Sequence, residues 1–177
     1  SAHIAKELGA NLDYCSRAAL LAKCDLVTNM VGEFADLQGL MGSYYAKASG
    51  EPSEVAEAIR EQYLPRYAGD ELPQSQKGKV LSLEEKLDTM CGLFSIGQPP
   101  TGSKDPFAIR RAALGILRIL VESGIDLNIH SAIEYSLSLF ETKRSKQDVA
   151  KEVFDFLIRK RKQFVHFHSQ SELLLYL

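Results

Sequence analysis

The sequence contains no tryptophan, three cysteines and no apolar run close to the roughly 20 residues that a membrane-crossing helix requires. Cys15, Cys24 and Cys91 are odd in number and show no Cys-x-x-Cys spacing. They read as small apolar side chains in a reducing compartment, not as a disulfide framework or zinc site. The N-terminus lacks the combination of a basic start, an apolar stretch and a small-residue cleavage site, so the expected location is the cytoplasm. Four histidines are present, His3, His130, His166 and His168, and none lies one helical turn from another. His166 and His168 could share one side of a strand, but two imidazoles leave a zinc site incomplete. Missing too are the Gly-x-Ser-x-Gly nucleophile elbow, the Gly-x-x-x-x-Gly-Lys-Ser/Thr phosphate loop and the Gly-x-Gly-x-x-Gly fingerprint. A formal net charge of −2 lacks the positive excess of a dedicated nucleic-acid-binding domain, so any RNA contact must come from local patches.

What is present is enough for one substantial core or two small ones, with 45% hydrophobic and 25% charged residues in 177. The apolar residues recur at helical spacing almost throughout, and the expected class is all-α. Residues 2–9 read as the last turns of an element stopped by Gly9. Asn11 or Asp13 can cap a second helix that carries Ala18, Ala19, Ala22, Leu26 and Met30 up to a break at Gly32. A third helix is expected through Leu37, Leu40, Met41, Tyr44 and Ala48, ending at Gly50. Gly39 and Gly42 lie inside it at up to about 1 kcal/mol each against alanine, so something must approach the backbone there. Pro52, Ser53 and Glu54 begin a fourth helix that ends before Pro65, and residues 65–78 read as a structured loop. Val80, Leu83, Leu87, Cys91 and Phe94 mark a long helix with Glu84, Glu85 and Asp88 turned away. Ile129, Ile133, Leu137 and Phe140 mark another, and Val149, Val153, Phe156 and Leu157 one more. The only strand-like alternation is at residues 164–168.

Between the long helix and the later ones, a Gly/Pro loop from Gly97 to Gly102 leads into Lys104 and a helix expected to start at Asp105-Pro106. Asp can cap the first amides, and Pro at the first helical position loses no hydrogen bond. Lys104, Arg111 and Arg118 follow at seven-residue intervals, nearly one line on a helix, with Gly115 leaving that line bare of bulk. With Arg110 they form a basic patch. Lys143-Arg144 with Lys146, and Arg159-Lys160-Arg161-Lys162, form others. Such patches are either a solubilising surface whose stems cover apolar neighbours, or contacts to a phosphate backbone. Glu85 and Asp88, three apart on one helix, could hold Mg²⁺ or divide acid and base roles; the alternative is a solvated or ion-paired face beside Lys86.

The run Gly97-Gln98-Pro99-Pro100-Thr101-Gly102-Ser103-Lys104-Asp105-Pro106-Phe107-Ala108-Ile109-Arg110-Arg111-Ala112-Ala113-Leu114-Gly115 closely resembles a signature of the beta subunit of bacterial glycyl-tRNA synthetase. Residues 21–34 and Leu37-Gln38-Gly39-Leu40-Met41-Gly42 match one further block of that family. Tyr63 to Pro73 matches its loop, and Lys86-Leu87-Asp88-Thr89 its long helix. The likeness runs to about residue 160. It departs mildly at Glu33-Phe34-Ala35-Asp36, where the family usually has Glu-Phe-Pro-Glu, and at Glu84-Glu85, where it has Ala-Asp. Residues 163–177 look unlike it.

The resemblance implies a multi-helix HD-like bundle with additional C-terminal helices. Its expected parts are an HD-like helical domain over 1–102 with a truncated N-terminus, a continuing helical region over 103–162 and an atypical tail over 163–177. It also implies a ligase of alpha and beta chains, a heterotetramer, that joins glycine to its tRNA using ATP and Mg²⁺. Catalysis belongs to the alpha subunit; the beta subunit contributes tRNA recognition and assembly. No catalytic centre, cofactor or metal is therefore expected in this chain. Its partners would be the alpha subunit, tRNA(Gly) and other beta-subunit domains, with no membrane. Lys104, Arg110, Arg111 and Arg118 are the candidate tRNA contacts. In an HD enzyme a His-Asp pair holds metal; here Cys24-Asp25 stands about where that pair would be, and no histidine is near. Two alternatives are an HD-type metal-dependent phosphohydrolase using Asp25, Glu85 and Asp88, and a pure protein-interaction module.

Overall fold

The computed structural model describes residues 2–102 and 104–168, the side chains of residues 163 and 165–168 excepted. Among the described residues the fold is all-α. Its helices are α1 (Ala2–Glu7), α2 (Leu12–Leu21), α3 (Asn29–Glu33), α4 (Leu40–Ala48), α5 (Ser53–Glu61), α6 (Gln76–Ser95), α7 (Ile109–Glu122), α8 (Ile129–Ser138) and α9 (Lys146–His168). Short 3-10 turns occupy Cys24–Val27 and Ala35–Leu37. The helix α9 includes residues 164–168, so the alternation there is not a strand. The rest of the expected 163–177 tail lies outside the described residues.

The chain divides into two compact units: residues 1–85 with 125–127, and residues 86–124 with the chain from 128 on. The first half of α6 belongs to the former and its second half to the latter.

In the first unit, Asn11 caps α2 by accepting from the Tyr14 amide at 2.9 Å. The expected run through Leu26 and Met30 does not form. After Leu21 the chain tightens into the 3-10 turn, and Thr28 caps a separate α3 through the Val31 amide. Gly32 lies inside α3 and does not end a helix. Leu26 and Met30 are exposed as a result, together with Leu20, Val27 and Phe34. The small side chains Ala18, Ala22, Ala46, Ala56 and Ala58 form the core with Val55, Ile59 and Leu81, which lets α2, α4 and α5 approach closely.

Gly39 and Gly42 do admit a close approach, but Gly39 precedes α4 and has φ +77°, a left-handed conformation suited to glycine. A Cβ on Gly39 would lie 2.9 Å from the Tyr63 ring, and one on Gly42 would lie 2.9 Å from Ile59 Cγ2 and 3.0 Å from Asp25 Oδ2. The visitors are therefore α5 and a carboxylate.

The loop before α6 ends earlier than the composition suggests. Glu61, buried at the end of α5, accepts from the Gln74 amide at 2.8 Å, the Ser75 amide at 3.1 Å and the Ser75 hydroxyl at 2.6 Å. Ser75 Oγ in turn accepts from the Gly78 amide at 2.9 Å, which gives a first-turn amide of α6 its partner, and the helix begins at Gln76.

In the second unit, Leu87, Met90, Cys91 and Phe94 of α6 are buried, as are Ile109, Ala113, Ile116 and Ile119 of α7, Ile133 and Leu137 of α8, and Val149, Val153, Phe156 and Leu157 of α9. Phe94 and Phe156 meet edge to face at 5.7 Å between ring centroids. Asn128 caps α8 through the Ser131 amide at 3.0 Å. Arg144 donates to the Phe94 carbonyl at 2.7 Å and to Glu152 at 2.6 Å, tying the end of α6 to α9.

Candidate nucleic-acid interface

The junction before α7 is built differently from the simple helix start that its sequence suggests. The Thr101 and Lys104 backbones bridge each other, with N–H to carbonyl distances of 3.1 and 2.8 Å. Asp105 does cap α7, but from outside: its two carboxylate oxygens accept from the Ile109 amide at 2.8 Å and the Arg110 amide at 3.0 Å. Pro106 and Phe107 lie in a turn, not in the helix, and Ala108 adopts φ 55°, which redirects the chain into Ile109. Proline at 106 thus serves a turn position and not the first helical one. The negative carboxylate also faces the positive end of the helix dipole.

The four candidate cations end up in different environments. Lys104 is exposed on the bridged loop, ahead of the helix. Arg110 is half-buried and donates to the Gly102 carbonyl at 2.6 Å, so it braces the loop. Arg111 is exposed. Arg118, with a side chain only 13% exposed, chelates Glu122 one turn on, at 2.7 Å and 3.2 Å. Gly115, between Arg111 and Arg118, is buried. The seven-residue line therefore runs from solvent at Arg111 into the covered side of α7. Lys104 and Arg111 are the exposed members of the set.

The residues of the phosphohydrolase alternative are each engaged in local structure. Asp25 is buried, and its Oδ2 accepts from the Gly39 amide at 2.6 Å and the Gly42 amide at 3.1 Å, which places a carboxylate on the first turn of α4. Its Oδ1 is buried without a hydrogen-bond partner. Glu85 pairs with Lys23 at 2.9 Å. Asp88 accepts from the Ser136 hydroxyl at 2.5 Å. The described residues contain no group of three or more His, Cys, Asp or Glu side chains gathered to hold a metal ion.

Lys23 also forms an arrangement that spacing does not announce. Its ammonium lies 4.1 Å from the Tyr63 ring centre and 3.1 Å from the Tyr63 hydroxyl, while bridging to Glu85. Burial pushes the Tyr63 phenol up despite the neighbouring ammonium. The only advance signal is that Lys23 and Tyr63 lie in segments that carry the family resemblance; Glu85 stands where the chain departs from it.

Comparison with known proteins agrees with that resemblance. A family model of the glycyl-tRNA synthetase beta subunit matches residues 1–174. The chain belongs to that family. Among its relatives, a protein named glycine–tRNA ligase beta subunit from Haemophilus influenzae (strain ATCC 51907 / DSM 11121 / KW20 / Rd) is 52% identical over 155 residues, 88% of this chain and 22% of the relative. Proteins of the same name from Pseudomonas savastanoi pv. phaseolicola and Enterobacter sp. (strain 638) are 50% identical over 157 residues and 49% over 158. In both cases the match takes in 89% of this chain and 23% of the relative. The chain thus spans less than a quarter of the length of the relatives it matches. No described helix is long and apolar enough to cross a membrane.

Proposed function

We propose that this chain serves as part of a glycine–tRNA ligase, in the cytoplasm, where it contributes RNA contact and assembly to the joining of glycine to tRNA(Gly). The observation that carries the reading is the membership just described, at about half identity over nearly nine-tenths of the chain. In this reading the alpha subunit performs the ATP- and Mg²⁺-dependent chemistry. In the same reading this chain takes no step of the reaction. Its work is to hold helices at fixed angles, through the Asp25, Glu61 and Asp105 caps, and to present cations to a polyanion.

Of the four candidates, Lys104 and Arg111 make the phosphate contacts, being exposed, while Arg110 and Arg118 shape the loop and helix that present them. The chain's net charge of −2 makes the contact local. The HD-like bundle and the 1–102 and 103–162 division belong to the same proposal. The test is a salt titration of tRNA binding by the full-length ligase carrying Lys104→Gln and Arg111→Gln. Each phosphate contact removed should flatten the slope of log K against log salt by about 0.7–0.9. An unchanged slope would move both residues to a structural role. The chain on its own should support no glycine-dependent pyrophosphate exchange, and detectable exchange would overturn the division of labour.

A further inference from the structure

The far part of α9 carries four consecutive cations, Arg159, Lys160, Arg161 and Lys162, more than one turn before the helix ends at His168. Successive residues step by about 100°, so the four charges surround most of the helix circumference. Arg159, Arg161 and Lys162 are exposed. Lys160 lies on the packed side, with its ammonium 6.0 Å from the Phe156 ring centre.

Ordinary reasons for such a cluster do not apply. A favourable interaction with the helix dipole is confined to the last turn, which this run precedes. Asp155, one turn back, can offset Arg159. At three and four residues to either side of Arg161 and Lys162, however, the sequence offers no carboxylate, and Arg159 and Lys162 are like charges at i, i+3. Elsewhere four arginines stand in ion pairs: Arg17 with Glu51, Arg66 with Asp70, Arg118 with Glu122 and Arg144 with Glu152. Arg161 and Lys162 thus carry positive charge that no carboxylate at helical spacing offsets, within a net-negative protein.

We infer that Arg159, Arg161 and Lys162 form a second phosphate-binding surface, a collar on α9 that takes the sugar–phosphate backbone of an RNA. The guanidinium forks suit phosphate oxygens. An RNA is favoured over a protein partner because the surface is made of charge: three exposed cations within four residues complement a polyanion, whereas protein docking relies on buried aromatic or aliphatic anchors. The contact is to backbone and carries no base specificity. The inference rests on the reading of the chain as part of a tRNA ligase, and it adds a site to that reading.

The experiment compares three forms of the full-length ligase in filter-binding salt titrations with tRNA. These are the unaltered enzyme, the triple variant Arg159→Gln/Arg161→Gln/Lys162→Gln, and the Lys104→Gln/Arg111→Gln variant. Glutamine is close to arginine and lysine in helix propensity, so α9 persists, and a matching thermal melt verifies this. The triple variant should flatten the slope by about 2–3 with cognate and non-cognate tRNA alike. If its slope equals that of the unaltered enzyme, the α9 surface is overturned. In that case a flattened slope for the Lys104/Arg111 variant leaves the ligase reading standing, and unchanged slopes in both variants remove the RNA role from this chain altogether. Should the triple variant melt early, Lys162→Gln alone decides, with an expected change of about 0.7–0.9 and none overturning the site.

Discussion

The Asp25 carboxylate sits 3.1 Å from the Gly42 amide, and the same oxygen would lie 3.0 Å from a Cβ placed on Gly42. Acceptor and glycine thus require each other: the carboxylate reaches the first turn of α4 only because that turn has no side chain on this side. Gly42→Ala should lower stability by about 1–3 kcal/mol through overpacking against Ile59 and Asp25. Asp25→Ala should cost a similar amount by orphaning the buried Gly39 and Gly42 amides. In the double variant the two losses should sum to less than their parts, since the alanine at 42 no longer meets a carboxylate. Chemical denaturation of the four proteins measures the coupling, and strict additivity would show that the contact is not formed.

A second prediction concerns the entrance to α7. Ala108 occupies the left-handed region at φ 55°, which disfavours any residue with a Cβ by about 1–2 kcal/mol. Ala108→Gly should therefore leave the melting temperature unchanged or raise it slightly, because relief of strain offsets the extra chain entropy of glycine. Asp105→Ala should lower stability by about 0.5–2 kcal/mol through loss of the cap to Ile109 and Arg110. Differential scanning calorimetry separates the two, and a melting-temperature drop for Ala108→Gly would contradict the backbone geometry.

The third is a pH dependence. Burial pushes the Asp70 carboxyl up, but the amides of Arg66 and Glu71 and the Arg66 side chain outweigh that effect and hold it below the ordinary aspartate value. A carboxyl with a depressed folded-state pKa binds its proton more readily when unfolded. Its stabilisation is complete above the unfolded value of about 3.9 and is lost as pH falls through the lower folded value. Asp70→Asn should flatten the acid limb of a stability–pH curve below about pH 4 and leave its shape above pH 5 unchanged. An acid limb as steep as that of the unaltered protein would remove Asp70 from the account.

The fourth concerns thiol chemistry. Cys15 and Cys91 are buried and Cys24 is exposed. Burial pushes the Cys15 thiol up and the Cys91 thiol up to about 12, so neither offers thiolate near neutral pH. A disulfide reagent should modify one thiol per folded chain, at Cys24, and three after denaturation. Two rapid modifications in the native state would contradict the burial.

Helices with a long apolar period were legible in the sequence. Every residue expected on the inner face of α6, from Val80 to Phe94, is buried. The segments misread were those in which a polar side chain overrides the apolar spacing. Leu26 and Met30 continue the alanine stripe of α2 in sequence, but Thr28 starts a new helix between them. Asp105-Pro106 reads as a helix start, but the cap acts four residues downstream. At the candidate interface the sequence shows which residues are cationic and not which are already paired. Arg118 and Arg111 look alike in spacing, and only the fold puts the first on Glu122. The link from Asp25 to Gly39 and Gly42 spans 14 and 17 residues, so no local pattern joins them.

The Glu61 carboxylate, held by Gln74 and Ser75, closes the base of the whole excursion between α5 and α6. It is at once the clasp of a loop and the first anchor of a helix, so neither can loosen alone. Opening of residues 62–75 and fraying of the start of α6 become a single cooperative event. The amides of Gln74, Ser75 and Gly78 should then exchange their hydrogens on one shared timescale, although they belong to what looks like two separate elements.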